Sequence, residues 1–136
     1  MTVFVLDSSA VLRFIDREAG AVRVKEIFRS CARGQDEACI SAVQWGEVTG
    51  KLRRRLGVSA QKRILQSITQ LESSIISATA DRAVRAAELK VDRKIAYADA
   101  FAIELAMDSH DHVLVTADYD FKVVADLAQI EFLPVK

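Results

Sequence analysis

Four acidic residues in distant segments of the sequence are the strongest candidates for chemistry. Asp7 follows the apolar run TVFVL, and Asp118 follows the apolar run VLV in VLVTAD. Asp99 lies in IAYADAFAIELA and Glu47 in AVQWGEV, both among apolar neighbours. Carboxylate oxygens without histidine or cysteine partners are the ligands that Mg²⁺ and Mn²⁺ prefer. A cation held in this way activates water and stabilises the oxygens of a phosphodiester during its cleavage.

Each of these carboxylates also has an ordinary structural interpretation. Asp7 and Asp99 could each cap the helix that follows. Glu47 could pair with Lys51 on a solvated helix face, and Asp118 could belong to a turn. The four acids together favour a shared site, because a carboxylate in apolar surroundings needs a partner from outside its own segment.

Three hydroxyl groups and a fifth acid lie next to these carboxylates in the sequence. Ser8 and Ser9 follow Asp7 directly, while Thr116 and Asp120 flank Asp118 at a distance of two residues. We expect Ser8, Ser9, Thr116 and Asp120 to orient water or phosphate. The alternative for the hydroxyls is local hydrogen bonding, which is their usual role beside strand ends.

The two histidines form an HxH motif in an acidic loop. His110 and His112 alternate with Asp108 and Asp111 in the segment DSHDH. A metal site there is the weaker expectation, and the motif leaves the role of the two histidines open.

Basic residues gather in one segment. Residues 51–63 carry six cations and no acid, namely Lys51, Arg53, Arg54, Arg55, Lys62 and Arg63. A basic segment near an acidic metal site suits a polyanion whose backbone is held at one place and cut at the other. We therefore predict that Arg53, Arg54 and Arg55 contact the backbone of that polyanion or a partner protein. A solvated helix face is an equally simple interpretation.

The four acids can form one site only if the fold brings their segments together. The sequence alternates short β-rich runs with helical stretches. The predicted strands are Thr2–Leu6, Ala38–Ser41, Ser74–Ser77, Val113–Val115 and Ile130–Leu133. The predicted helices are Ser8–Arg17, Ala21–Arg33, Val43–Leu56, a helix capped by Ser59, Ala80–Val91, Tyr97–Ser109 and Phe121–Ala128. This alternation predicts an α/β fold with a parallel sheet and helices on both faces. Ligands bind beyond the carboxyl ends of such strands, where Asp7 and Asp118 lie.

Composition narrows the class of protein further. The 136 residues are 51% hydrophobic and 28% charged, which excludes a disordered chain. Five glycines and one proline are too few for a barrel or sandwich of many short strands. The 19 cationic and 19 acidic side chains balance, so any attraction to nucleic acid must be local. We expect residues 1–136 to form one domain.

Two further features bear on location. The longest segment without Asp, Glu, Lys or Arg is residues 38–46, far shorter than the roughly 20 apolar residues of a membrane helix. We therefore expect no contact with a membrane. Cys31 and Cys39 fit neither a CxxC motif nor a disulfide framework, so we expect reduced thiols and a cytoplasmic protein.

The motifs VLDSSAVL, WGEV, YADAFAIELA and VLVTADYDF occur in this order along the chain. Together they resemble the PIN-domain ribonucleases, and in particular the VapC toxins of bacterial and archaeal toxin–antitoxin pairs. The resemblance covers essentially the whole chain and is strongest over residues 98–121. One departure is the SHDH segment before the fourth strand, where a glycine is common in the family.

The resemblance implies a five-stranded parallel sheet of order 3-2-1-4-5 and a metal-dependent endoribonuclease. It places the family's catalytic and metal-binding acids at Asp7, Glu47, Asp99 and Asp118, and its strand-end hydroxyl at Thr116. The cofactor implied is Mg²⁺ or Mn²⁺. The partners implied are an RNA substrate, a cognate antitoxin protein and a second copy of the chain in a homodimer.

Other functions share parts of this pattern. A PIN nuclease of RNA processing without an antitoxin has the same motifs, and a non-catalytic RNA-binding module would share the fold. A receiver-like phosphoacceptor domain needs an acid pair after its first strand, but Asp7 is followed by Ser8. It also needs an aspartate directly after its third strand, where this chain continues as SATAD.

Overall fold

The computed structural model describes residues 1–71 and 73–135. In these ranges the strands are β1 (Val3–Leu6), β2 (Glu37–Ser41), β3 (Ser74–Ile76), β4 (His112–Thr116) and β5 (Gln129–Phe132). The α-helices are α1 (Ser8–Asp16), α2 (Ala21–Ala32), α3 (Ala42–Leu56), α4 (Val58–Thr69), α5 (Ala80–Arg93) and α6 (Tyr97–Ala106), and a 3-10 helix spans Tyr119–Val124. None of these helices is long and apolar enough to cross a bilayer.

The five strands form one parallel sheet in the order β3-β2-β1-β4-β5. The predicted fold class and strand order are therefore confirmed. The order also separates this chain from receiver domains, in which the central strands follow the flavodoxin-like order 2-1-3-4-5. Asp81, the acid nearest the end of β3, lies inside the first turn of α5.

The central strand β1 is covered on both faces, which explains its continuous apolar sequence. Phe4 and Leu6 point into a core shared with α1, α2, α3 and α4. Val5 points to the other face, where it packs with α6 and the 3-10 helix. Burying a side chain of this size stabilises the fold by roughly 1.5–3 kcal/mol, so both faces hold the strand rigidly. A rigid β1 is what positions Asp7 beyond its end.

The helix after Gly57 begins differently from the prediction. Ser59 does not cap it; α4 already begins at Val58, and no side chain bonds to its first amides. Gly57 precedes the helix with φ of +86°, a conformation that glycine adopts without strain. Because the glycine makes the turn between α3 and α4, the chain enters the helix before it reaches the serine.

The segment before β5 also differs from the predicted helix 121–128. It forms a 3-10 helix over Tyr119–Val124 instead. A 3-10 helix rises about 2 Å per residue, so six residues span roughly the length of a four-residue strand. That is enough to return the chain from the end of β4 to the start of β5. Asp118 starts this helix by accepting a hydrogen bond from the amide of Asp120 at 2.9 Å.

An ion-pair network holds α5 against α6. Glu104 of α6 is 3% exposed and accepts hydrogen bonds from Arg82 at 2.8 Å and from Arg85 at 3.2 Å. Arg82 also bonds to Asp108 at 2.6 Å. Pairing of this kind offsets the cost of burying the Glu104 carboxylate. The network fixes the helix whose first turn carries Asp99.

Candidate metal centre

Asp7 lies one residue beyond β1, at the carboxyl edge of the sheet. Its amide donates to the carbonyl of Val115 at 3.0 Å, so the neighbouring strand holds its backbone. Its side chain caps α1, but through a long bond of 3.4 Å from the amide of Ser9. The capping role is therefore real, and it uses only one of the two carboxylate oxygens.

The carboxylate of Asp7 is buried and only half satisfied. The residue is 2% exposed, and its Oδ2 accepts from Ser9 Oγ at 2.5 Å and from Thr116 Oγ1 at 2.8 Å. Its Oδ1 is buried and has no hydrogen-bond partner in the described part of the chain. Burial is the main cause that raises the pKa of Asp7, although the bonds from Ser9 and Thr116 oppose it. A buried carboxylate oxygen without a donor is the atom that a cation would satisfy.

Thr116 and Ser9 join Asp7 to the segment that carries Asp118. Thr116 Oγ1 accepts from the amide of Asp118 at 2.9 Å, and Ser9 Oγ accepts from the amide of Ala117 at 2.8 Å. Both hydroxyls give their single proton to Asp7, so their mutual contact of 3.2 Å is not a further donated bond. The ends of β1 and β4 are thus locked together by side chains as well as by the strand ladder.

Asp99 lies in the first turn of α6. Ala96 precedes this helix and no side chain caps it, so the interpretation of Asp99 as a helix cap is wrong. The residue is partly buried, and this burial raises its pKa to about 7, with the charges of Asp7, Asp118, Glu47 and Asp120 adding to the effect in that order. Electrostatic repulsion of this kind requires that all these acids face one region of space.

Glu47 approaches the same region from α3. Its Oε1 accepts a hydrogen bond from Ser8 Oγ at 3.3 Å. The contact that the structure gives Glu47 is thus to α1, and not to Lys51 of its own helix. Ser8 therefore donates a hydrogen bond to the Glu47 carboxylate. Asp120 is exposed, and its negative charge helps to raise the pKa of Asp99.

The acids form an open rim and not a closed cluster. No three His, Cys, Asp or Glu side chains within residues 1–71 and 73–135 are already close enough to hold a metal ion together. Like charges at one edge of the sheet repel one another, which favours a wide spacing of the carboxylates. The donors nevertheless fit a hard divalent cation, since all are oxygens and Asp7 Oδ1 lacks any other partner.

The other predicted residues lie away from this rim. Arg53, Arg54 and Arg55 are exposed near the end of α3, and Arg55 pairs with Asp16 at 2.8 Å. His112 begins β4 at the opposite edge of the sheet, where it contacts Asp111 at 3.0 Å. The histidines are therefore separated from the acids by the length of a strand.

Ser9, which the sequence offered for orienting water or phosphate, bonds to Asp7 and to the end of β4. Gln44 was not predicted from the sequence, and it is fully buried beside the rim. Its signal was present: Gln44, Val48 and Leu52 share the buried stripe of α3, so a polar residue stands on an apolar face.

The fold and the acidic rim together define a known family. The sequence pattern of the PIN domain matches residues 4–127, and the chain belongs to the PIN domain family. The resemblance predicted from the four motifs is confirmed. No curated protein matches the sequence.

Several solved structures similar to this chain are toxins or toxin–antitoxin complexes. One is a chain of VapBC2 from Rickettsia felis, solved bound to a DNA fragment from the VapBC2 promoter. It is 14% identical to this chain with a TM-score of 0.74, and the match covers 98% of this chain and 100% of that one. VapC20 from Mycobacterium tuberculosis, a sarcin-ricin loop cleaving toxin, is 20% identical with a TM-score of 0.71 and the same coverage of 98% and 100%. A chain of DNA-bound VapBC from Salmonella typhimurium is 15% identical with a TM-score of 0.71, covering 97% and 98%. These likenesses show the fold.

Proposed function

We propose that this protein is a metal-dependent endoribonuclease. Asp7, Glu47, Asp99 and Asp118 would hold Mg²⁺ or Mn²⁺ and act as its catalytic acids. The observation that carries the proposal is the unpartnered, buried Oδ1 of Asp7 at the centre of this rim. When bound, the cation would supply an activated water and neutralise the phosphodiester oxygens during cleavage.

The protein residues around the cation would set its geometry. Ser9 and Thr116 both donate to Oδ2 of Asp7, which leaves Oδ1 directed away from them and available to the cation. Thr116 thus orients a carboxylate more directly than it orients water. Ser8 orients Glu47 in the same way, and Asp120 is the acid free to orient water or phosphate at the edge.

The proposal extends to a biological role as the toxin of a toxin–antitoxin pair in the cytoplasm. Its support is the shared fold of the VapBC chains over nearly their full length. An antitoxin partner and a homodimer follow from this role. The alternative is a PIN nuclease of RNA processing that has no antitoxin. Expression with the neighbouring small reading frame and purification of a stable, inactive complex would favour the toxin, whereas full activity in that mixture would favour the alternative.

Removal of divalent metal tests the proposed activity directly. We expect the purified protein, free of any antitoxin, to cut single-stranded RNA with Mg²⁺ or Mn²⁺. The cleavage should stop with a chelator and return when Mn²⁺ is added in excess, because the bound cation lowers the pKa of its water and stabilises the charge of the phosphodiester. Product analysis on labelled RNA measures both steps. Cleavage that persists after exhaustive chelation and dialysis would contradict the metal mechanism.

The basic segment of α3 offers a test of RNA binding. Arg53 and Arg54 follow Glu47 by six and seven residues, roughly 9–11 Å along the helix, so an RNA strand that extends from the rim along α3 would pass them. The double variant Arg53→Glu and Arg54→Glu should weaken RNA binding and reduce its salt dependence by a slope of roughly 0.7 per lost contact. Fluorescence anisotropy at several salt concentrations measures this slope.

A matched control uses two exposed arginines at the far end of α2. The double variant Arg29→Glu and Arg33→Glu changes the net charge by the same amount as the α3 variant. The two arginines lie near the amino end of β2. We expect the control to keep the salt slope of the wild type. An equal loss in both double variants would assign the effect to net charge, and an unchanged slope in the α3 variant would make Arg53 and Arg54 a solvated face.

A further inference from the structure

Gln44 is a fully buried amide that links two of the acid-bearing segments. Its Oε1 accepts from the amide of Ser8 at 2.8 Å, and its Nε2 donates to the carbonyl of Ala98 at 2.6 Å. Ser8 follows Asp7, and Ala98 precedes Asp99. The orientation of the amide group follows from its partners, because a backbone amide can only donate and a carbonyl can only accept.

The same helix turn makes a second contact with α1. Gln44 and Glu47 are three residues apart on α3, so they lie on one face. Gln44 bonds to the backbone of Ser8, and Glu47 accepts from its hydroxyl at 3.3 Å. One turn of α3 therefore holds the start of α1 at two points and the start of α6 at one.

The chemistry of glutamine suits this place. Like charges at the rim repel one another, and this repulsion tends to separate α1, which follows Asp7, from α6, which carries Asp99. A neutral amide joins the two segments without adding a negative charge. A lysine or arginine there would neutralise the acids and compete with a cation for them. Both polar ends of Gln44 are used, and its removal would leave the buried amide of Ser8, in the first turn of α1, without its acceptor.

We propose that Gln44 is a positioning residue that sets the separation of Asp7 and Asp99 for the cation. This inference rests on the proposed function, because it concerns the same rim. Residues that orient metal-binding side chains typically contribute about 10-fold to 100-fold in metal affinity when they are replaced. Gln44 contacts neither the cation nor the substrate in this scheme; it acts through the backbone of the two segments.

The variant Gln44→Met tests the role, since methionine has nearly the same length and volume but lacks both polar groups. We expect Mn²⁺ affinity, measured by calorimetric titration without RNA, to fall about 10-fold or more. The amide proton of Ser8 should also exchange with solvent faster in the variant, because it has lost its acceptor. The control is a core variant on the same helix, Leu52→Val or Leu52→Ala, chosen to lower the Tm equally.

The control separates positioning from general stability. If Gln44→Met and the Leu52 variant bind Mn²⁺ equally well, or lose affinity equally, the positioning role is overturned. If Gln44→Met does not fold, Gln44→Asn takes its place, because an amide one methylene shorter can reach only one partner; undiminished affinity in that variant would overturn the role as well. A wild-type protein that binds no Mn²⁺ would remove the proposed function itself, whereas a wild type that binds Mn²⁺ and cuts RNA leaves only Gln44 in question.

Discussion

Replacing Asp7 with asparagine should lower the kcat/KM of metal-dependent RNA cleavage by about a thousandfold or more. Asparagine keeps an oxygen that can accept from Ser9 and Thr116, so the ends of β1 and β4 stay joined. Its amide nitrogen then replaces the unpartnered Oδ1 and directs two donors at the position of the cation. The lost charge and the misplaced donors together remove several kcal/mol of stabilisation from the metal-bound state.

A second asparagine variant controls for the loss of charge. Asp111→Asn makes the same chemical change just before β4, at the opposite edge of the sheet. We expect it to retain cleavage within about twofold. Single-turnover assays over a range of Mn²⁺ concentrations measure both proteins, with circular dichroism to confirm folding. A folded Asp7→Asn protein with more than a tenth of the wild-type activity would place the catalytic centre elsewhere.

The alternation of strands and helices was predictable because the buried strands are continuous apolar runs. The VFVL and VLV segments have no polar residue to face solvent, which is how strands covered on both faces differ from surface strands. Their order in the sheet came from the family resemblance and not from the pattern. Nothing local in a strand specifies which neighbour it pairs with, since the pairing is decided by packing between distant segments.

The errors in the fold lie where local signals competed. Ser59 has the chemistry of a cap, but the preceding glycine already makes the turn and starts α4 earlier. The 121–128 segment has enough apolar residues for an α-helix, but the short distance back to β5 is covered by a tighter helix. In both cases a geometric requirement of the neighbouring element outweighed the residue preference.

The residues of the site also differ in whether local sequence or packing between distant segments determines their position. The positions of Asp7 and Asp118 follow from strand ends, so the sequence was sufficient to place them on one edge. Asp99 and Glu47 come close enough to the other acids for their charges to interact only because α3 and α6 pack against the sheet, and no local sequence signal specifies that packing. The hydroxyl bonds of Ser9 and the two bonds of Gln44 join residues far apart in sequence, and only the folded chain brings them together.

Asp99→Asn should abolish cleavage and at the same time stabilise the metal-free protein. The pKa of Asp99 rises from 3.8 to about 7 on folding, so its ionised form is less favourable in the folded state than in the unfolded state. The free energy of unfolding therefore falls as the pH rises from about 4 to 7, and the full cost is present above pH 7. The shift sets an upper limit of roughly 4 kcal/mol, and solvent at the open rim reduces the expected gain to about 1 kcal/mol.

Melting curves of the wild type and Asp99→Asn at pH 8 and pH 5 measure this effect. At pH 8 the variant should melt at a higher temperature, because asparagine removes one charge from the crowded rim at nearly constant shape. At pH 5 the folded wild type keeps the proton on Asp99, so the difference between the two proteins should shrink. Mg²⁺ should raise the Tm of the wild type by mass action, and raise that of the variant much less. A variant that is less stable than the wild type at both pH values would mean that Asp99 supports the fold directly, and that the acids do not repel one another.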